Sequence, residues 1–125
     1  MPVPAGNPRP TEDALRWQLE RVGSTAWEGF GLKFQRMAFG FAVETGVADE
    51  CEALRWLLAR DGIGAGEPPR GKLAWYEASG GVSVLSSLGD GKVVGAGVNG
   101  AIGVMHYLDR PGYAGWSEPI FPYAS

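Results

Sequence analysis

The chain contains one cysteine, Cys51, and one histidine, His106, so any thiol catalysis would have to use both. A catalytic thiol reacts as the thiolate, which forms at neutral pH when positive charge lies nearby. The neighbours of Cys51 are instead Asp49, Glu50 and Glu52, whose negative charge opposes thiolate formation. The sequence therefore favours Cys51 as a small buried core residue over Cys51 as a nucleophile.

His106 alternates with Ile102 and Val104 along a predicted strand, so its side chain is expected on the same side of the sheet as theirs. A histidine packed in the interior is the favoured interpretation, and an imidazole that lines a cleft is the alternative. One histidine and one cysteine cannot form a structural zinc site, which normally takes four such ligands. No metal and no cofactor are indicated.

Carboxylates are the other groups with chemical potential, and those considered for general acid or base catalysis are Glu28, Glu77, Asp90 and Asp109. Glu28 and Glu77 are the preferred pair, and Tyr76 is a further group that could guide proton transfer. Each carboxylate is more often a solvated surface charge than a catalytic group. Serines such as Ser83 have no evident base beside them, so their hydroxyls would stay weak nucleophiles.

Three helices must position these residues in the first half of the chain, and the second of them is apolar on most sides, as expected for a central helix. They are predicted over residues 11–22, 32–43 and 48–60, with Thr11 as the first N-cap. In the third helix, one apolar stripe is expected to contain Cys51, Leu54, Leu57 and Leu58. Residues 1–10 are rich in Pro and Gly and are predicted to form a flexible arm, and residues 11–125 one domain.

Short antiparallel strands are predicted in the second half, over residues 73–77, 82–88, 92–98, 101–108 and 113–116. Gly89-Asp90-Gly91 and Asn99-Gly100 indicate tight hairpins, because glycine and asparagine accept the positive φ that such turns require. A meander of antiparallel strands follows from these turns. Helices followed by strands predict an α+β domain whose second helix packs on the sheet.

The segment from Gly29 to Gly40, GFGLKFQRMAFG, resembles the nucleophile helix of papain-like cell-wall hydrolases of the NlpC and CHAP types. In those families the motif reads Gly-Leu-Cys-Leu-Lys/Arg-Phe, followed after a short gap by Ala-Phe-Gly, and Gly31 stands at the cysteine position. Backbone N–H groups in the first helical turn favour a thiolate, but Gly31 has no side chain to activate. The resemblance implies a papain-like domain, with a central motif helix packed on a C-terminal antiparallel sheet.

A second segment, residues 81–94, is similar to the histidine strand of the same families, which reads Gly-His-Val, apolar residues, Leu-Gly-Asp-Gly, a basic residue and Val-Val. Aligned without gaps, the catalytic histidine falls on Ser83, and with two residues inserted it falls on Gly81. The following strand has no polar residue that would orient a histidine, and residues 113–119 resemble the closing segment of some CHAP-type members. The resemblance therefore implies a member that lacks nucleophile, base and orienting group.

The leading hypothesis is a non-hydrolytic pseudoenzyme that binds a peptide-like or carboxylate ligand, or a partner protein, in the vacated groove. Open N–H donors at Gly31 would suit a carboxylate. The groove is expected to be lined by Trp27, Phe30, Gly31, Trp75 and Ser83. One alternative is a repurposed enzyme that carries out acyl transfer or cyclisation on a small molecule with carboxylate and tyrosine groups, and another is a structural subunit.

Composition and charge exclude several classes of partner. The 125 residues, 45% of them apolar, suit one domain with its own core. A net charge of -3 without a basic stripe gives no indication of nucleic-acid or membrane binding. No leader or long apolar segment is visible, so a cytoplasmic protein is expected, with secretion left open if the sequence has been trimmed.

Overall fold

The structure is a computed structural model that describes residues 7–27, 29–41, 50–78 and 81–121. Within these ranges, three α-helices are followed by five β-strands, which confirms the predicted α+β class. The helices are α1 (Thr11–Leu19), α2 (Gly31–Ala38) and α3 (Glu50–Leu58). The strands are β1 (Leu73–Ala78), β2 (Gly81–Gly89), β3 (Lys92–Val98), β4 (Ala101–His106) and β5 (Tyr113–Ser117), with a 3-10 turn, Tyr107–Asp109, after β4.

The strands form one antiparallel sheet in the order β4-β3-β2-β1-β5. The first four strands make the predicted meander, and β5 returns to pair with β1. The two hairpin predictions are confirmed, because φ is 52° at Asp90, 78° at Gly91, 54° at Asn99 and 78° at Gly100. These local turns determine which strands are neighbours in the meander.

Loop segments cover part of both outer strands. At β4, the N–H of Gly23 donates to the Ile102 carbonyl at 2.8 Å, and the N–H of Ile102 donates to the Ser24 carbonyl at 2.9 Å. At β5, Gly64 and Trp116 exchange two backbone hydrogen bonds of 2.6 and 3.0 Å. Paired edges of this kind are protected from association with strands of other chains.

The two faces of the sheet have different surroundings because strand residues alternate in direction. One face, called here the helix face, packs against the helices and includes Leu73, Trp75, Val84 and Val94. The opposite face, called here the open face, carries its own smaller apolar cluster of Ala74, Tyr76, Leu85 and Val93, with Met105, Tyr107 and Tyr113 packed against it. Any site on the open face is therefore separated from the helices by the sheet.

The helices differ from the predictions in their ends and in their buried stripe. Helix α1 ends at Leu19, and its N-cap is Pro10 and not Thr11, which is the first helical residue. The buried residues of α3 are Ala53, Leu54 and Leu57, whereas Leu58 is 53% exposed and Cys51 is half-buried. Within the described ranges, no helix has the length and apolar character needed to cross a membrane.

Residues 7–10, predicted as part of a flexible arm, are held against the rest of the structure. The Asn7 side-chain amide donates to the Pro119 carbonyl at 2.8 Å. The backbone N–H of Arg9 donates to the Phe39 carbonyl at 2.9 Å, and its guanidinium donates to the Ala38 carbonyl at 2.9 Å. The guanidinium thus lies at the C-terminus of α2, where unpaired carbonyls attract positive charge.

Candidate functional site

The start of α2, where Gly31 stands at the position aligned with cysteine, is already occupied by a carboxylate of the same chain. Glu50, the first residue of α3, accepts a hydrogen bond from the backbone N–H of Leu32 to Oε1 at 2.9 Å. A Cβ on Gly31 would lie 3.2 Å from the same oxygen. One of the N–H groups at the helix end expected to bind an external carboxylate, that of Leu32, therefore binds an internal one.

The aromatic residues expected to line one groove do not share a surface. Trp27 packs against Phe34 with ring centroids 5.2 Å apart, and Phe30 is 53% exposed. Trp75 is fully buried on the helix face, where its Nε1–H donates to Ser117 Oγ at 2.8 Å. Trp75 is thus a core residue that presents no surface to a ligand.

Ser83 lies on the opposite face of the sheet from Gly31. Its neighbours Val82 and Val84 belong to the helix-face core, and the Val84 carbonyl would be 3.9 Å from a Cβ on Gly31. The Ser83 hydroxyl instead accepts a hydrogen bond from Arg110 on the open face. Gly81, two residues earlier, has the same direction along the strand as Ser83. A histidine at either aligned position would therefore extend away from α2.

A cleft of about 250 Å³ surrounds Ser83 on the open face. Tyr76 and Ser83 are directly opposite each other in β1 and β2, and both line this cleft. Arg110 and Pro111, from the turn before β5, close its other side. Of the residues selected from the sequence, the structure brings Tyr76 and Ser83 together here.

Arg110 is the central charged group of this cleft. Its Nη1–H donates to Ser83 Oγ at 3.0 Å, and its Nη2–H donates to the Gly97 carbonyl at 2.7 Å. Its guanidinium carbon lies 5.8 Å from the centroid of the Tyr76 ring. No carboxylate among the described residues forms an ion pair with Arg110. Since a guanidinium has five N–H donors, these contacts orient the group and leave donors for a ligand.

Tyr76 is a neutral hydrogen-bond donor at the base of the cleft. Its hydroxyl donates to the Tyr107 carbonyl at 2.7 Å. Burial, with a smaller contribution from Tyr113, raises the pKa of Tyr76 to about 12. The Tyr76 and Tyr113 rings lie 5.5 Å apart, and burial likewise raises the pKa of Tyr113 to about 12. These phenols therefore keep their protons at neutral pH and cannot accept one from a substrate.

His106 is exposed, in contrast to the prediction of a packed histidine. It is the last residue of β4, paired with Lys92, and its Nε2 lies 2.8 Å from where a Cβ on Gly91 would be, beside the β2–β3 turn. Its Nδ1 accepts a hydrogen bond from the N–H of Leu108 at 3.2 Å, and its ring centroid lies 5.1 Å from that of Tyr107. The imidazole thus caps the turn that precedes Arg110.

The other groups considered for catalysis do not meet in a common site. Cys51 is half-buried, and its Sγ accepts a hydrogen bond from Arg55 Nη2–H at 3.2 Å. Glu77 is exposed near the end of β1, whereas its proposed partner Glu28 lies outside the described residues. Among the residues that the structure describes, no three potential metal ligands form a group.

Comparisons of the chain with protein-family models, with curated proteins and with solved structures gave no match. The resemblance to papain-like hydrolases therefore depends on the sequence segments 29–40, 81–94 and 113–119 alone. Function has to be inferred from the geometry of the chain's own residues, and the arrangement around Arg110 was not identified from the sequence. Its turn, Asp109-Arg110-Pro111-Gly112, has the composition of an ordinary solvated loop.

Proposed function

We propose that this chain is a non-hydrolytic binding protein on a papain-like scaffold, and that Arg110 binds the carboxylate of a peptide-like ligand in the open-face cleft. The observation that carries the proposal is a half-buried guanidinium, held in place by Ser83 and Gly97, with no carboxylate partner among the described residues. The site differs from the vacated groove expected from the motif, which lies across the sheet.

The chemistry of Arg110 favours a carboxylate ligand. A guanidinium is planar, always charged, and presents paired N–H donors that match the two oxygens of a carboxylate. Contacts to Ser83 and Gly97 reduce the side-chain freedom that binding would otherwise remove. A volume of about 250 Å³ suits the end of a chain-like ligand better than a large rigid molecule.

Two features support binding over hydrolysis. Gly31 has no nucleophile, and Glu50 places negative charge where a thiolate would have to form. In the cleft itself, the pKa of Tyr76 is about 12 because of burial, so the phenol cannot serve as a general base at neutral pH. Neither side of the sheet therefore offers an activated nucleophile among the described residues.

The test is an NMR titration of the full chain with N-acetyl-alanine and, separately, with N-acetyl-alanine amide, which lacks the carboxylate. We expect the acid to shift the signals of Arg110, Ser83 and Tyr76, and the amide to have little effect. Arg110→Ala should weaken binding of the acid by about tenfold or more, since a hydrogen bond to a charged group contributes about 1.5–3 kcal/mol.

Arg16→Ala is the matched control. Arg16 is an exposed arginine on α1 that pairs with Asp13 at 3.1 Å, so the variant loses the same charge away from the cleft. It should bind the acid as the parent chain does. Shifts centred on Leu32 and Gly31, or equal affinity of the Arg110→Ala variant and the parent, would overturn the proposal, as would the absence of any carboxylate-dependent shift.

A further inference from the structure

A second recess lies next to the cleft, and Arg110 lines both. It has a volume of about 580 Å³ and lies between the β3–β4 hairpin and the turn before β5. Arg110 and Pro111 line both the cleft and this recess. The cleft and the recess are therefore adjacent along Arg110 and Pro111, and together they are called here the Arg110 groove. A ligand anchored at the guanidinium can extend into the second recess.

The second recess has a different chemical character from the cleft. Its apolar lining residues include Val98, Val104 and Met105, and its polar lining residues include Asn99 and Asp109. Asp109 is exposed and forms no ion pair with a described residue, although Arg110 is its neighbour in the chain. Adjacent residues of opposite charge thus line the recess without forming an ion pair with each other.

From this arrangement we infer that the Arg110 groove selects a ligand with two opposite charges, a carboxylate bound by Arg110 and a cationic group bound by Asp109. The inference depends on the proposed function, because it assigns the second half of the same ligand. The apolar surface of Val98 and Met105 suits the methylene chain that would connect the two charged groups. The ligand class is a peptide-like molecule with a basic side chain close to its carboxylate.

Asp109 acts here as a specificity-determining residue. Its carboxylate is open to solvent, and exposed ion pairs contribute about 0.2–1 kcal/mol. We therefore expect a preference of about 1.4- to fivefold for the cationic ligand, the range that this free energy gives. The preference should decrease as salt concentration rises, since exposed charge pairs are screened.

The experiment compares Nα-acetyl-lysine with Nα-acetyl-norleucine, which has a similar side chain without the ammonium group. The parent chain should bind the lysine compound about 1.4 to five times more tightly. Asp109→Asn should lower the affinity for the lysine compound to that for the norleucine compound. Asp61→Asn is the matched control, because it removes one exposed carboxylate from the loop after α3, outside the Arg110 groove, and should keep the preference.

The outcomes separate this inference from the proposed function. If the two compounds bind equally, and Arg110→Ala weakens the binding of both, the role of Asp109 is overturned and the carboxylate site stays intact. A preference for lysine that persists in Asp109→Asn would also overturn that role. Failure of both compounds to bind at any concentration tested would overturn the proposed function, and the role of Asp109 with it.

Discussion

Gln18 and Gln35 exchange two hydrogen bonds in the interior, since the Nε2 of each donates to the Oε1 of the other at 3.1 and 3.0 Å. Ser86 joins them, accepting from Gln18 Nε2 at 3.0 Å and donating to Gln35 Oε1 at 2.5 Å. All three residues are fully buried, and they connect α1, α2 and β2. The helices are thus aligned with the sheet by directional contacts as well as by apolar packing.

We predict that the losses of stability caused by replacing the members of this group are not additive. Gln18→Leu removes the acceptor of the Gln35 Nε2–H in the interior, whereas Ser86 Oγ still donates to Gln35 Oε1. The unpaired donor should cost about 1–3 kcal/mol. A triple variant, with Gln18 and Gln35 replaced by Leu and Ser86 by Ala, has no buried polar side chain left without a partner at these positions. The triple variant should therefore lose less than the sum of the three single losses.

Urea denaturation, with the free energy of unfolding extrapolated to water, measures these differences. The three single variants and the triple variant provide their own controls. Additive losses, within the error of the extrapolation, would show that the three side chains act independently and that the hydrogen bonds do not form a coupled group.

A second prediction concerns the position aligned with the catalytic cysteine. Gly31→Cys, made in a Cys51→Ser background, would place a new side chain beside Glu50 Oε1, which is 3.2 Å from the Cβ position. A neighbouring carboxylate raises the pKa of a thiol and disfavours the thiolate. The new thiol should therefore react slowly with iodoacetamide at neutral pH, despite its place at a helix N-terminus.

The matched variant adds Glu50→Gln to the same background. The glutamine keeps an acceptor for the Leu32 N–H and removes the charge, so alkylation should be about three- to tenfold faster. Equal rates in the two variants would contradict the role assigned to the Glu50 carboxylate. We expect no hydrolase activity from either variant, because positions 81 and 83 face away from α2.

The strands and turns were largely predictable because their signals are local. The strand Lys92–Val98 has the predicted ends, and both hairpin turns occur where Asp-Gly and Asn-Gly indicate them. Strand β4 ends at His106, two residues before the predicted end at Leu108. His106 is the N-cap of a 3-10 turn, and its side chain accepts a hydrogen bond from the Leu108 N–H. That side-chain hydrogen bond favours the turn over a longer strand, and no repeating pattern of residues in the sequence indicates it.

The site was less predictable because its contacts join distant parts of the chain. Arg110 and Ser83 are 27 residues apart, and Glu50 and Leu32 are 18 apart. Alternation along β2 predicts that the Ser83 side chain lies on one face of the sheet and those of Val82 and Val84 on the other. It does not predict which of the two faces packs against α2. That choice is made by tertiary packing, with Val84 in the helix-face core, and the motif alignment assumed the reverse.

The third prediction concerns the stability of the fold at alkaline pH. An exposed tyrosine in the unfolded chain has a pKa of about 10, whereas burial raises the pKa of Tyr76 in the folded chain to about 12. Below pH 10 the phenol is neutral in both states, so its contribution to stability is fully present. Between about pH 10 and pH 12 the unfolded chain loses the proton first, and the free energy of unfolding should fall.

Urea denaturation at a series of pH values measures this fall, and tyrosinate absorbance of the folded chain reports the ionisation directly. Tyr76→Phe cannot ionise at this position, so its stability should decrease less steeply over the same pH range. The decrease should not vanish, because burial also raises the pKa of Tyr113 to about 12. Parallel curves for Tyr76→Phe and the parent would mean that the Tyr76 phenol ionises equally readily in the folded and unfolded chains, against its assignment as a buried donor to the Tyr107 carbonyl.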